Sequence, residues 1–237
     1  MNTQFFTVAA IFIGLSFSSC AKINGTGSSV TENRTTSEFN SIRTAISADV
    51  YLRQDSVFKV EVSGQKDILD VLNTTVNGRE LKIDFDHNKR IGSHSKIEIW
   101  ISCPDIKKLS LSGSGNLTAL NNFSGENMDL EVSGSGSINI TALHTDNVDA
   151  TISGSGNISI LNGKATKIKT NVSGSGYIDF TGMKTNIAAV KISGSGDTKV
   201  NVSDELNVKI SGSGDVYYKG RPLINTEISG SGKLKAL

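Results

Sequence analysis

The sequence predicts an all-β protein, a parallel β-helix-like solenoid of about seven coils with a β-structured capping region before it. Three observations predict this fold. The tetrapeptide Ser-Gly-Ser-Gly occurs seven times in the second half of the 237-residue chain. Alternating apolar and polar residues flank each occurrence. The chain has 24 glycines but only 2 prolines, which favours ordered, sharply turning backbone over a disordered linker.

The charge balance bears on the class of partner. The chain carries 24 Lys and Arg against 23 Asp and Glu, a net charge of +1. Because this balance gives no electrostatic case for nucleic acid or for an anionic membrane surface, we expect no nucleic-acid partner.

Residues 1–19 are predicted to form a signal peptide. The apolar stretch from Phe5 to Phe17 is too short to span a bilayer and ends in two serines. Residues 15–20, Leu-Ser-Phe-Ser-Ser-Cys, resemble a bacterial lipobox, in which cleavage occurs just before the cysteine and its thiol carries diacylglycerol. Phe17 stands where leucine is usual, so ordinary secretory cleavage is the alternative. We expect Cys20 to be the lipid attachment site, and acylation of both its thiol and the new amino terminus gives stable anchoring.

Residues 20–34 are predicted to be a tether and residues 35–105 a β-structured cap. The tether is rich in Gly, Ser and Thr, as flexible linkers are. The cap has strand-like alternation at residues 49–52, 58–62, 80–85 and 96–101. Asn77-Gly78 predicts a hairpin turn, and Val62-Ser63-Gly64 is interpreted as a degenerate first corner. Residues 68–72 fit either one helical turn or a strand. A cap is expected because the open end of a solenoid is an unpaired sheet edge.

Residues 106–237 carry the repeat. Ser-Gly-Ser-Gly begins at Ser112, Ser133, Ser153, Ser173, Ser193, Ser211 and Ser229, so the spacings are 21, 20, 20, 20, 18 and 18 residues. Segments such as Leu109-Ser110-Leu111 and Ile138-Asn139-Ile140 alternate with period 2, which indicates strands with one buried face. A unit of this length cannot bury its apolar face alone, but stacked coils can. Identical corners at a fixed period argue against a sandwich or barrel of hairpins, whose turns would vary.

Several motifs together resemble a known family. In order they are Phe39, Val50-Tyr51-Leu52, the stretch Lys-Val-Glu-Val-Ser-Gly at 59–64, Asn-Gly-Arg-Glu-Leu-Lys-Ile at 77–83, Cys-Pro-Asp-Ile at 103–106 and Leu-Ser-Leu-Ser-Gly-Ser-Gly-Asn-Leu at 109–117. The chain from about residue 35 to 237 resembles the head GIN domain family of auto-transporter adhesins, a domain of unknown function in exported Bacteroidetes proteins. The resemblance implies a β-helix-like fold and an adhesin-like role, and it brings no catalytic residues.

The strongest candidate for chemistry is a pair of aspartates. Asp197 and Asp215 each follow a Ser-Gly-Ser-Gly corner directly, so they are expected to stack in adjacent coils. Two carboxylates about 5 Å apart could bind a cation or a ligand weakly, or could form a solvated edge beside lysines. Cys103 ends an apolar strand and is expected to be a buried small hydrophobe. His87 and His94 lie in a polar loop and are expected to be solvated rather than metal ligands.

These patterns predict an exported, lipid-anchored binding or structural protein of the bacterial envelope, held at the outer membrane, and the family resemblance implies that it is adhesin-like. We expect no catalytic activity, no metal and no cofactor, and a glycan or a cell-surface protein as partner. Secretion without an anchor is the alternative location. The alternative functions are a carbohydrate-active enzyme, which needs clustered acids and aromatic sugar platforms, and a scaffold whose solenoids assemble end to end.

Overall fold

A computed structural model describes residues 22–237, so the predicted signal peptide and Cys20 lie outside the described residues. The predicted all-β fold is confirmed, since 71% of the described residues are in strands and these strands form a β-solenoid of about six turns. The one helix in this part, α1, is Lys66–Leu69. The strands described are β1 Lys22–Ile23, β2 Ser29–Arg34, β3 Ser41–Thr44, β4 Asp49–Gln54, β5 Lys59–Gln65, β6 Leu72–Asn77, β7 Glu80–Phe85, β8 Arg90–Ile91, β9 Glu98–Cys103, β10 Lys108–Gly113, β11 Asn116–Gly134, β12 Ser137–Gly154, β13 Asn157–Ile160, β14 Gly163–Gly174, β15 Tyr177–Gly194, β16 Asp197–Gly212, β17 Val216–Lys219, β18 Leu223–Gly230 and β19 Leu234–Ala236.

Each coil of the solenoid has three sides. Strands β11 and β12 pair in parallel over three stretches, in which residues 116–119, 122–125 and 127–134 face residues 137–140, 142–145 and 147–154. We call the side after the Ser-Gly-Ser-Gly corner side A, the next side B, and the side leading to the following corner side C. Later coils repeat these sides in parallel register. Because successive coils pair in parallel, their equivalent residues form rows along the solenoid axis.

The core fills the inside of these coils with stacked aliphatic rows. On side A, Leu117, Ile138, Ile158 and Ile178 follow one another in register and are fully buried. Their chain neighbours point outward and are partly exposed. This is the structural basis of the period-2 alternation in the sequence.

The Ser-Gly-Ser-Gly corners bring the backbones of successive coils into close contact. The first glycine of each corner has φ between +113° and +134°, a conformation that side chains other than glycine rarely adopt. A Cβ on the second glycine would also collide with the coil before it, since at Gly196 it would lie 2.3 Å from the carbonyl oxygen of Gly176. Backbone hydrogen bonds link the corners, as from the Ser175 N–H to the Gly154 oxygen at 2.9 Å. Each corner therefore requires both glycines.

Part of the predicted capping region belongs to the solenoid itself. Strands β3 and β4 pair in parallel with β10 and β11, so residues 41–54 form a coil without a Ser-Gly-Ser-Gly corner. At its corner the Ser47 hydroxyl lies 2.8 Å from that of Ser114. Strands β7 and β9 stack in parallel on the outer edge of β3 and β4. The chain thus places an early segment between two later ones.

The strands that cover the N-terminal end of the solenoid pair antiparallel. Strand β5 pairs antiparallel with both β9 and β2, and β6 pairs antiparallel with β7. Val62-Ser63-Gly64 lies inside β5, so the interpretation of this tripeptide as a degenerate corner was wrong: three residues do not reveal that a strand runs against its neighbours. The predicted hairpin is confirmed, because Gly78 and Arg79, with φ of 55° and 70°, join β6 to β7. Of the two readings of residues 68–72, the helical turn is correct for Ile68 and Leu69, which lie in α1.

Candidate binding surface

The two candidate aspartates lie in adjacent coils at the start of side A. The Asp215 backbone N–H donates to Asp197 Oδ1 at 2.7 Å, and the Lys233 N–H of the next coil donates to Asp215 Oδ1 at 2.8 Å. Each carboxylate therefore ties its own coil to the following one through a charge-assisted hydrogen bond. Ligand or cation binding by this pair stays a prediction.

Asp215 also has partners on its second oxygen. Lys235 Nζ lies 2.5 Å from Asp215 Oδ2, and the Tyr217 hydroxyl donates to the same oxygen at 3.2 Å. The Lys235 ammonium group, aided by the Lys233 N–H and the Tyr217 hydroxyl, holds the pKa of Asp215 below its ordinary value. This carboxylate is ionised at neutral pH, and both of its oxygens have hydrogen-bond partners.

Aromatic rings and lysines alternate beside these aspartates. Lys199 Nζ lies 5.5 Å from the ring centres of both Tyr177 and Tyr217, and Lys235 Nζ lies 5.1 Å from that of Tyr217. These distances are typical of cation–π interactions. The Tyr177 hydroxyl donates to Asp179 at 3.0 Å. A lysine therefore lies over at least one face of each ring, which leaves less ring surface for stacking with a sugar.

The second aromatic group of side A is near the capped end. The Trp100 and Tyr51 rings stack with their centres 4.3 Å apart and their planes inclined by 26°. These residues face each other across the parallel β4–β9 ladder, so the rings stack along the solenoid axis. One face of each ring is therefore taken up by the other ring and is closed to a sugar.

Cys103 is a buried thiol, as expected. Its side chain is 0% exposed, and burial, with a contribution from Asp105, raises its pKa to about 12. A thiol at this pKa is not a nucleophile at neutral pH.

The two loop histidines have separate partners. His87 Nε2 is 3.5 Å from Asp84, while His94 Nδ1 is 2.7 Å from the carbonyl oxygen of Ser95. Within residues 22–237, no three His, Cys, Asp or Glu side chains are grouped closely enough to hold a metal ion.

Sides B and C carry shallow grooves that sequence reasoning missed. The groove on side C has a volume of about 440 Å³ and runs past Lys169, Lys191, Lys209 and Glu227. The groove on side B has a volume of about 500 Å³ and is lined by Lys164, Lys184 and Arg221 among others. The sequence signal for the side B groove is the change in corner spacing from 20 to 18 residues. A shorter coil next to a longer one leaves a depression on the outer surface of the solenoid.

A comparison with protein families shows to which family the chain belongs. Residues 38–222 match the family described as "Putative auto-transporter adhesin, head GIN domain". The chain belongs to this family. The resemblance noted in the sequence is thus confirmed, and the head GIN domain spans the antiparallel cap apart from β2, the coil at 41–54 and all but the last Ser-Gly-Ser-Gly corner.

Solved structures share this head GIN domain fold. A putative adhesin from Bacteroides fragilis is 23% identical, with a TM-score of 0.85, and the match covers 91% of this chain and 100% of the other. A putative adhesin from Parabacteroides merdae is 22% identical, with a TM-score of 0.74 and coverage of 91% and 99%. A protein from Parabacteroides distasonis described as a putative lipid binding protein is 26% identical, with a TM-score of 0.76 and coverage of 92% and 100%. Curated proteins include no match.

The family description suggests an exported or cell-surface protein. In the part of the head GIN domain chain that the structure describes, the helical residues are too few to cross a membrane.

Proposed function

We propose that this chain is a non-catalytic binding protein of the bacterial envelope, exported by residues 1–19 and held at the outer membrane by a lipid on Cys20. Its family is described as adhesins, and its solenoid displays long polar rows on three sides. A rigid rod of this kind offers a broad surface for a glycan or a protein on another cell.

The observation that carries the non-catalytic part is the state of the side A carboxylates. A general acid or base must be free to exchange a proton with a substrate. Asp215 instead accepts hydrogen bonds from Lys233, Lys235 and Tyr217, and Asp197 accepts one from the Asp215 backbone. These contacts serve coil stacking, and they support a structural role for the pair over a catalytic one.

The anchor is tested by lipid labelling. In a Bacteroides host fed an alkyne-tagged palmitate, the wild-type chain should carry label and sediment with outer membranes. The Cys20→Ala variant should lose both the label and the membrane association. The Cys103→Ala variant is the matched control and should keep both, because the Cys103 thiol is buried. Unlabelled wild-type protein in the culture medium would mean secretion without an anchor.

Binding is tested on whole cells. Beads coated with the purified chain should adhere to glycan-coated or host-cell surfaces more than beads coated with an unrelated protein. No adhesion to any surface, together with no envelope phenotype when the gene is deleted, would contradict an adhesin-like role.

A second candidate function, end-to-end assembly, is favoured by the exposed strand β18. In the described chain this strand pairs with β16 along one edge, and its core-facing Ile224 and Ile228 are each 40% exposed. Antiparallel pairing with a second copy about Thr226 would place Ile224 opposite Ile228 of that copy, and Asn225 opposite Glu227, with no like charges facing.

Light scattering after size exclusion tests this assembly. The wild-type chain should have the mass of a dimer, and Ile228→Lys should have the mass of a monomer. Leu161→Lys, which alters an exposed leucine outside β18, is the control and should remain dimeric. A monomeric wild-type chain would exclude the candidate.

A further inference from the structure

The groove on side B lies where the solenoid narrows. Asp179 pairs with Lys199, twenty residues further along the chain, whereas Lys184 pairs with Asn201, only seventeen residues further. The longer coil therefore overhangs the shorter one. The resulting groove, of about 500 Å³, falls within the size range of small-ligand sites.

The groove concentrates positive charge without compensation. Lys164 and Lys184 occupy the same position in neighbouring coils, and Arg221 lies at the other end of the groove. No carboxylate lines it, and in the described part of the chain no ion pair involves these three cations. Two ammonium groups one coil apart repel each other, so an anion that bridged them would relieve the repulsion.

On side C, by contrast, two of the lysines that line the groove have carboxylate partners. There Lys169 lies 3.1 Å from Asp149 of the preceding coil, and Lys209 lies 2.8 Å from Glu227 of the following coil. Asp204, which follows the lining residue Ser203 in the chain, is engaged by Ser203 at 2.6 Å and by Asn186 at 2.9 Å.

The rest of the lining consists mainly of neutral polar groups. Asn186, Asn201 and Ser203 contribute amides and a hydroxyl, whereas the side chains of Thr185 and Val202 are buried. Cations repeated along an axis, with hydrogen-bonding groups between them, match a linear polymer that has regularly spaced acids and many hydroxyls. A lipid or an apolar peptide would find no exposed aliphatic or aromatic residue in this lining.

We propose that the side B groove binds a segment of an acidic polysaccharide, with uronate carboxylates on Lys164, Lys184 and Arg221. The inference rests on the proposed function as a binding protein, and it names the ligand class and the surface.

The test is calorimetric titration of the full chain, purified in a mild detergent, with oligogalacturonate of defined length. Binding should be saturable, and fully methyl-esterified oligogalacturonate, which keeps the sugar and loses the charge, should bind at least about tenfold more weakly. The double variant Lys164→Gln/Lys184→Gln should also lose about tenfold or more in affinity. Its melting temperature should equal or exceed that of the wild type, since a like-charge contact is removed.

The matched control is Lys167→Gln/Lys191→Gln. Both lysines are exposed, lie on side C and form no ion pair in the described residues, so this variant has the same net charge and should bind like the wild type. Equal weakening by both double variants would mean diffuse attraction and overturn the site.

Three other results would overturn the ligand class: equal binding of the methyl ester, equal binding of poly-glutamate, or no binding of oligogalacturonate at millimolar concentration. Displacement of the oligomer by equimolar inorganic phosphate would likewise point to a simple anion site. None of these outcomes alters the lipid-labelling result for Cys20, so failure of the groove and failure of the envelope location are distinguishable.

Discussion

Replacing a corner glycine tests how much of the stability comes from the close approach of successive coils. Gly174 has φ of +116°, and a Cβ there would lie 2.5 Å from the carbonyl oxygen of Gly154. Gly113, at the first Ser-Gly-Ser-Gly corner, has nearly the same φ, +113°, but its Cβ would be 3.9 Å from the nearest atom, the oxygen of Ile46. The two glycines therefore differ in crowding and not in backbone conformation.

The magnitudes follow from these distances. An alanine at either position costs about 1–3 kcal/mol for its backbone conformation. At Gly174 the coils must also move apart until the Cβ clears the oxygen, and this stretches the 2.9 Å hydrogen bond from the Ser175 N–H to the same oxygen. Because this corner is exposed, loss of the hydrogen bond costs about 0.5–1.5 kcal/mol more. We expect Gly113→Ala to lower the free energy of unfolding by about 1–3 kcal/mol, and Gly174→Ala by about 1.5–4.5 kcal/mol.

The assay is urea denaturation of the chain from residue 22 onward, followed by far-ultraviolet circular dichroism. The free energies of unfolding of the two variants are compared with that of the unchanged chain under identical conditions. Equal losses in the two variants would refute the reasoning, because they would show that crowding against the neighbouring coil contributes nothing.

Three further predictions follow from single side chains. Because Lys235 lowers the pKa of Asp215 in the folded chain, this carboxylate stabilises the fold above its unfolded pKa, and that stabilisation is lost as the pH falls through the lower, folded pKa. Between pH 7 and pH 2 the melting temperature should therefore fall less for Asp215→Asn than for the wild type. Parallel curves of melting temperature against pH would contradict this. In a Cys20→Ala background, Cys103 should not react with a thiol reagent at pH 8 until urea unfolds the chain, since burial raises its pKa to about 12; rapid labelling of the folded chain would show that the thiol is accessible. The buried Thr198 hydroxyl has no hydrogen-bond partner in the described residues, so Thr198→Val should raise the free energy of unfolding by about 1–2 kcal/mol in chemical denaturation. Thr185→Val is its control and should be destabilising, because the Thr185 hydroxyl donates to carbonyl oxygens.

Much of the fold was predictable because the solenoid repeats its local chemistry. The Ser-Gly-Ser-Gly corners and the period-2 alternation are local patterns, and each recurs in every coil that carries a corner. The stacking of Asp197 and Asp215 followed from the same register. The hairpin at Gly78 was predictable for the same reason, since a two-residue turn depends on its own residues alone.

The coil at residues 41–54 was not predictable in this way. It lies between β7 and β9 on one edge and β10 and β11 on the other, although β7 and β9 come later in the chain. Parallel pairing between segments so far apart depends on which edge is left open once the other strands are placed. Val62-Ser63-Gly64 resembles a corner locally, yet it lies in an antiparallel strand of the cap.

The amino-acid sequence by itself determined the fold class, the coil length, the corner positions and the burial of Cys103, because these depend on neighbouring residues and on a repeated period. The tertiary structure alone decided which groups each outward side chain meets. Asp215 has an ion-pair partner because Lys235 lies one coil away, whereas Lys164 and Lys184 form no ion pair in the described residues. Electrostatic environment depends on distances across coils, and those distances exist only once the coils are stacked.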